Sequence, residues 1–121
     1  AAKYAVRWTA VVGLKGAATV IGCPDGTVYV NKTGCEAMAT GGCGDVLTGI
    51  IAGLAAQGVS LQEATLCGVF LHGLAGEYAA DGKVGLAAGE IANFLPEARA
   101  DVFEMLDTEE LVYNHAVKVI E

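Results

Sequence analysis

Short β-branched runs separated by turn residues fill the first third of the chain, and longer apolar stretches with helical spacing follow. After the end of a helix at residues 1–9, this pattern predicts strands at 10–14, 18–23 and 27–31. Pro24-Asp25-Gly26 predicts a hairpin between the second and third strands, because proline presets φ and glycine supplies positive φ. We expect residues 32–44 to form a loop.

The first long helix is predicted over residues 45–57, with Gly58 as the glycine that ends it. Gly49 and Gly53 lie four positions apart in this helix. In a membrane such a pair mediates helix dimerisation, but the apolar stretch 46–56 is far shorter than the ~20 residues of a membrane span. We therefore predict that the two glycines pack closely on a neighbouring element.

A capping box, Ser60-Leu61-Gln62-Glu63, predicts the start of a second helix that continues to about residue 80. Its many small residues predict tight helix contacts. A third helix is predicted over residues 86–95, and Pro96 is expected at the first position of a fourth. Residues 111–120 fit either a strand or a helix.

The order of strand, hairpin and successive helices favours the last part of an α/β or α+β domain. The chain of 121 residues is 54% apolar and only 17% charged, which indicates a core or an interface completed by something outside it. Its net charge of −7 argues against binding to nucleic acid or to anionic membranes. The acidic residues are concentrated in residues 97–121, which hold seven acidic and two basic side chains.

The four cysteines are Cys23, Cys35, Cys43 and Cys67, and their spacing matches no zinc motif. The sequence therefore predicts no metal site made of protein ligands alone. It also lacks the pattern of a disulfide-stapled secreted domain or a signal peptide. We expect free thiols and a cytoplasmic protein.

A glycine-rich turn before the first long helix is the strongest candidate site. Gly41, Gly42 and Gly44 permit positive φ and close approach of a ligand, and the following helix start attracts anions through its unpaired N–H groups and its dipole. Asp45 follows at once. The alternative is a tight connection in which the glycines serve packing and Asp45 only begins the helix.

Residues 15–19 form a second candidate site, because a lysine beside a glycine at the end of a buried strand can pair with a phosphate. Thr19 adds a hydroxyl donor to Lys15. A surface lysine in a β-turn is the alternative. Neither glycine segment is a Walker A loop or a dinucleotide-binding GxGxxG motif.

The remaining reactive residues carry weaker signals. Cys43 at a helix N-terminus is a candidate nucleophile, although a small side chain that fills the loop is the favoured interpretation. His72 lies among apolar residues and is interpreted as a hydrogen-bonded core or interface histidine. No role is assigned to His115.

Several segments together resemble one enzyme family. They are Leu14-Lys15-Gly16-Ala17-Ala18-Thr19-Val20-Ile21, Thr33-Gly34, Met38-Ala39-Thr40-Gly41-Gly42-Cys43-Gly44-Asp45-Val46-Leu47-Thr48-Gly49-Ile50-Ile51-Ala52-Gly53 and Leu71-His72-Gly73-Leu74-Ala75-Gly76. In this order and spacing, over residues 4–100, they resemble the ADP/ATP-dependent NAD(P)H-hydrate dehydratases of the ribokinase-like superfamily. The resemblance implies an α/β, three-layer ribokinase-like fold.

The resemblance implies repair of hydrated NADH and NADPH: an adenine nucleotide, ADP or ATP, phosphorylates the substrate hydroxyl, and elimination of that phosphate restores the ring. It places the nucleotide against Lys15, Gly16, Ala17, Ala18, Thr19 and Gly44, and an anion hole at Gly42, Cys43 and Gly44. Asp45 is implied as catalytic base and substrate contact. Mg²⁺ is implied as a bridge between phosphate oxygens.

The sequence also departs from the family pattern. Cys35-Glu36-Ala37 stands where the family has Asn-Pro-Gly after Thr33-Gly34, and Cys43 replaces a common Thr or Ser. A full family domain is more than twice as long, so we expect residues 1–106 to be the C-terminal portion of a domain that is incomplete at its N-terminus and inactive alone. Residues 107–121 are expected to be an acidic tail.

Two other functions stay open at this point. One is another ribokinase-like small-molecule kinase of the hydroxyethylthiazole kinase type, in which the same aspartate deprotonates an alcohol. The other is a non-catalytic fragment or assembly module with an exposed apolar surface. We expect a homo-oligomer, and an epimerase domain fused upstream is compatible with the resemblance.

Overall fold

The computed structural model describes residues 1–106 and 117–120. A four-stranded antiparallel sheet has the order β1-β2-β3-β4 and consists of β1 (Val12–Leu14), β2 (Val20–Gly22), β3 (Val28–Asn31) and β4 (Val117–Ile120). All three predicted strands are present, each shorter than expected. Residues 111–120 fitted either a strand or a helix, and residues 117–120 form strand β4. Residues 107–116 and 121 lie outside the described residues.

The hairpin between β2 and β3 forms as predicted. Its strands pair from Val20 opposite Val30 to Gly22 opposite Val28. Gly26 has φ of 88°, and the Asp25 carboxylate accepts the Thr27 N–H at 2.9 Å. The hydrogen bond from Thr27 holds the pKa of Asp25 below its ordinary value.

Within residues 1–106 and 117–120, five α-helices accompany the sheet: α1 (Ala2–Trp8), α2 (Cys43–Ala56), α3 (Leu61–Ala80), α4 (Ala88–Asn93) and α5 (Leu95–Leu106), with a 3₁₀ helix at Glu36–Met38. Helix α3 begins where predicted, and the Ser60 hydroxyl caps it by accepting the Glu63 N–H at 3.2 Å; the Glu63 carboxylate contacts the Ser60 hydroxyl at 3.1 Å. Two boundaries differ from the prediction. Helix α2 begins two residues earlier, and Pro96 is the second residue of α5.

The described elements lie in three layers. Ile21 is buried against Leu47 of α2 and Val69 of α3. Successive residues of a strand face opposite sides of the sheet, so the neighbouring Gly22 faces the side away from Ile21. A Cβ at Gly22 would lie 2.7 Å from the Ala1 carbonyl carbon on that side. Helix α1 therefore covers one face of the sheet, and α2 and α3 cover the other.

Small residues on α3 allow close packing, as predicted. A Cβ at Gly68 would lie 2.6 Å from Ile51 of α2, and one at Gly76 would overlap the Met38 side chain. The matching prediction for α2 is wrong for this chain. Gly49 and Gly53 are exposed, and a Cβ at either would have no described atom within 4 Å.

Helices α3 and α5 are joined by a polar contact at the edge of the larger core cluster. The Tyr78 hydroxyl donates to the Asp101 carboxylate at 2.6 Å. Partial burial, together with this hydrogen bond, raises the pKa of Tyr78 to about 12. The contact is therefore made by the neutral phenol and stabilises the packing of α5.

Among residues 1–106 and 117–120, the structure contains no helix that is both long enough and apolar enough to span a membrane.

Candidate functional site

A cavity of about 940 Å³ lies where the sheet, the loop after β3 and the start of α2 converge on α3. Its walls come from four segments distant in sequence. They are Lys15, Gly16, Ala17 and Thr19 after β1; Asn31, Thr33, Gly34, Cys35, Glu36, Met38, Ala39, Thr40 and Gly41 from the end of β3 and the loop; Cys43, Gly44 and Leu47 on α2; and Val69, His72 and Gly73 on α3. The volume is sufficient for a nucleotide-sized ligand.

The N-terminus of α2 opens on this cavity. Gly42 is the N-cap residue with φ of 91°, and no side chain caps the helix. The first N–H groups of a helix have no carbonyl partner four residues earlier, so those of Cys43 and Gly44 are available to an anion, whereas the Asp45 N–H already bonds to the Gly42 carbonyl at 3.0 Å. The N-terminus of α2 therefore has the geometry of an anion-binding site.

Lys15 brings a positive charge to the same place. A Cβ on Gly44 would overlap the Lys15 Nζ atom, so the ammonium lies directly against the helix start, and a larger residue at position 44 would displace it. Lys15 makes no ion pair with any described residue. The single ion pair among residues 1–106 and 117–120 joins Lys83 and Glu90. An ammonium held against the positive end of a helix dipole is unfavourable unless an anion binds between them.

One expectation about Lys15 needs correction. Its strand was predicted to be buried, but β1 is the edge strand of the sheet, and Leu14 is 53% exposed in this chain. The lysine does follow the strand end directly.

The structure gathers most of the predicted site residues around the cavity. Lys15, Gly16, Ala17, Thr19, Cys43 and Gly44 line it, whereas Ala18, Gly42 and Asp45 do not. Asp45 is exposed in the first turn of α2, next to Gly44. The arrangement thus unites the two predicted segments at one anion site, while Asp45 lies in the first turn of α2 outside the cavity lining.

The loop after β3 supplies wall residues that the physical analysis of the sequence did not place. The Thr33 hydroxyl lies within hydrogen-bond distance of both the Phe70 carbonyl, at 2.9 Å, and the Asn31 side chain, at 3.1 Å. The Gly34 N–H donates to the Glu77 carboxylate at 2.7 Å. These contacts tie the loop to α3. Thr33-Gly34 in the family motif was the only signal in the sequence that pointed to them.

His72 is buried, as predicted, but it also lines the cavity. The ring makes a hydrogen-bonding interaction with the Cys43 backbone, in agreement with the prediction of a hydrogen-bonded core or interface histidine. Its Nε2 atom has no hydrogen-bond partner among the described residues. Burial, and to a smaller degree the Lys15 charge, lowers the pKa of His72, while an interaction with the Cys43 backbone opposes this shift. The ring is therefore neutral near physiological pH.

The Cys43 side chain is buried in the larger apolar cluster, together with Ala75 and Ile91. This position fits the favoured interpretation of a small side chain that fills the turn. All four cysteines are free. Among the described residues, no group of three or more His, Cys, Asp or Glu side chains could hold a metal ion.

Comparisons with known proteins place this chain in one family. The model of the NAD(P)H-hydrate dehydratase family matches residues 1–97. The chain is 53% identical over 110 residues, 89% of its length, to the bifunctional NAD(P)H-hydrate repair enzyme Nnr of Moorella thermoacetica. It is 47% identical over 100 residues, 80% of its length, to the ADP-dependent (S)-NAD(P)H-hydrate dehydratase of Neisseria meningitidis.

Among solved structures, the chain resembles the ADP/ATP-dependent NAD(P)H-hydrate dehydratase of Bacillus subtilis co-crystallised with ATP/Mg²⁺. The TM-score is 0.78 at 38% identity, over 84% of this chain and 37% of that protein. This likeness confirms the predicted α/β ribokinase-like fold. The chain belongs to the NAD(P)H-hydrate dehydratase family.

The chain spans only part of these relatives: 21% of the Moorella protein and 33% of the Neisseria protein.

Proposed function

We propose that the protein carrying this chain uses ADP or ATP to dehydrate hydrated NADH and NADPH, and that this chain contributes the nucleotide-phosphate side of the active site. The observation that carries the proposal is the Lys15 ammonium against Gly44 at the uncapped start of α2. The names of the family and of its relatives supply the substrate class.

The cavity residues suit binding of the transferring phosphate. Lys15 and the N–H groups of Cys43 and Gly44 place positive charge where the phosphoryl group carries negative charge, and a helix end pre-oriented in this way needs no reorganisation during reaction. Thr19 adds a hydroxyl to the same wall, and Gly16 and Ala17 offer backbone without bulky side chains.

Asp45 is proposed as the base. Its carboxylate takes the proton of the substrate hydroxyl while that oxygen bonds to the terminal phosphorus and the bond from phosphorus to the nucleotide's bridging oxygen breaks. In the second stage, the carbon–oxygen bond breaks, phosphate leaves with the bonding electrons, and loss of a proton from the neighbouring carbon restores the double bond.

The described residues offer a cation no cage of protein ligands, which fits Mg²⁺ that enters bound to nucleotide phosphates and keeps most of its other ligands as water. When bound, the ion neutralises phosphate charge.

We also propose a compartment, an oligomeric state and a domain organisation for this protein. Four free cysteines support a reducing compartment such as the cytoplasm. Exposed apolar side chains such as Trp8, 61% exposed, support a covered surface and with it a homo-oligomer. The word bifunctional in the name of the Moorella relative supports a second activity, proposed to be an upstream epimerase. The division between a domain at 1–106 and a tail at 107–121 remains part of this proposal.

The test measures return of NADH absorbance when the full-length protein is incubated with hydrated NADH and ADP or ATP. We expect Asp45→Asn to reduce kcat by at least about 100-fold, because a general base typically contributes 10²–10⁴-fold, and to leave the nucleotide Kd nearly unchanged. Asp25→Asn is the matched control, since Asp25 lies in the hairpin turn and its amide replacement still accepts the Thr27 N–H.

Full activity of the Asp45→Asn protein would remove Asp45 as the base. Nucleotide consumption with another alcohol and no return of NADH absorbance would instead indicate a small-molecule kinase. Absence of any nucleotide-induced rise in melting temperature would contradict the phosphate site itself.

A further inference from the structure

His72 has a geometry that the proposed chemistry leaves unused. The side chain is 9% exposed, lines the cavity from α3, and carries a ring nitrogen without a partner among the described residues. A neutral imidazole has one donor and one acceptor nitrogen, and a buried polar atom without a partner is costly. Such an atom beside an anion site indicates that the site is completed by a ligand.

The surroundings of the ring connect it to the anion site. The ring makes a hydrogen-bonding interaction with the Cys43 backbone at the start of α2, which favours the imidazolium, whereas the Lys15 charge disfavours it. The other titratable residues that line the cavity are Lys15, Cys35, Glu36 and Cys43. His72 therefore lines the same cavity as Lys15 and interacts with the helix start that Lys15 contacts.

We infer that His72 is a positioning residue that supports the Cys43 end of α2 and takes up a proton when an anion binds there. The inference rests on the proposed function only in requiring an anion in the cavity.

The direction of the effect follows from the charges. In the free protein, burial and Lys15 both disfavour the imidazolium. A bound anion supplies the opposite charge and offsets Lys15, so it raises the pKa of His72. By reciprocity, anion affinity is highest below the pKa of the free protein and decreases as pH rises through the pKa of the complex. A rise of about one pKa unit corresponds to about a tenfold change in affinity.

The test is isothermal titration of the full-length protein with sulfate, whose charge is constant between about pH 5 and about pH 8, the range in which histidine titrates. Titrations in buffers of different ionisation enthalpy measure proton uptake. We expect uptake by the wild-type protein and an affinity about tenfold higher at the acidic end. His72→Gln should bind sulfate without uptake, whereas Asp25→Asn, a control in the hairpin turn outside the cavity lining, should retain it.

Sulfate binding without proton uptake by the wild-type protein would overturn the inference while leaving the anion site intact. Uptake that persists in His72→Gln would also overturn it; if that variant does not fold, His72→Asn takes its place. Lack of sulfate and ADP binding at every pH would overturn both the inference and the phosphate site. Proton-linked sulfate binding in a protein without dehydratase activity would support the inference and refute only the proposed reaction.

Discussion

The contact between Lys15 and Gly44 leads to a prediction that separates binding from stability. Gly44→Ala introduces a Cβ that overlaps Lys15 Nζ, whereas the Cε atom would lie 3.6 Å from it. Only the flexible end of the lysine must move, by on the order of 1 Å at ordinary contact distances. Because Gly44 lies in a helix, alanine should stabilise the fold by up to about 1 kcal/mol.

The same displacement weakens the anion site. A hydrogen bond to a charged group contributes roughly 1.5–3 kcal/mol, but Lys15 is exposed and screened, so a loss of about 1 kcal/mol is the realistic value. We therefore expect the nucleotide Kd to rise about fivefold, measured by titration calorimetry, with an unchanged or higher Tm. In a Lys15→Met background, Gly44→Ala should have no further effect on Kd.

Two glycine variants serve as controls. Gly49→Ala, which has no described neighbour within 4 Å, should leave nucleotide binding unchanged. Gly42→Ala should lower stability by about 1–2 kcal/mol, because φ of 91° disfavours alanine. An unchanged Kd for Gly44→Ala, or a Tm as low as that of Gly42→Ala, would refute the reasoning.

Two further variants test the packing of α3. Gly73→Ala puts a Cβ 2.6 Å from the Thr33 carbonyl carbon, and the backbone there cannot move without cost. We therefore expect urea unfolding to show a loss of about 1–3 kcal/mol in the free energy of unfolding, and no loss for the control Gly53→Ala. Equal stabilities of the two variants would contradict the close approach of Gly73 to Thr33. Tyr78→Phe removes the hydrogen bond to Asp101 and should cost about 1 kcal/mol at neutral pH. The pKa of Tyr78 is about 12 in the folded protein, above its ordinary value of 10.0, so this stabilising contribution is present below pH 10.0 and is lost as pH rises through about 12. A difference in unfolding free energy between the wild-type protein and Tyr78→Phe that stays constant over that pH range would refute the prediction.

Local signals were sufficient for much of the fold. The Ser60 cap of α3 and the turn at Gly26 were predicted to within a residue, because each depends on hydrogen bonds and φ values of neighbouring residues. The start of α2 was placed two residues late, at Asp45. Glycines have poor helix propensity, so tertiary contacts at Cys43 decided where the helix begins.

Part of the candidate site could also be predicted from local sequence signals, and part could not. The anion-binding turn was predicted at Gly41–Asp45 because glycines before a helix have a local physical meaning. The position of His72 in the cavity lining was missed, since an apolar helical context indicates burial and gives no indication of which cavity the ring lines or which nitrogen lacks a partner. The glycines of α2 and α3 were both predicted to pack closely but had different outcomes, because packing depends on what covers each face.

The order of elements, the hairpin, the capped helix and the family can be predicted without coordinates, because each is encoded by neighbouring residues or by motif spacing. The contact of Lys15 with Gly44, and the position of His72 in the lining of the same cavity, follow from the tertiary packing. That meeting of residues 15, 44 and 72 depends on β1 joining the sheet edge and α3 packing on α2, contacts distant along the chain that no local pattern encodes.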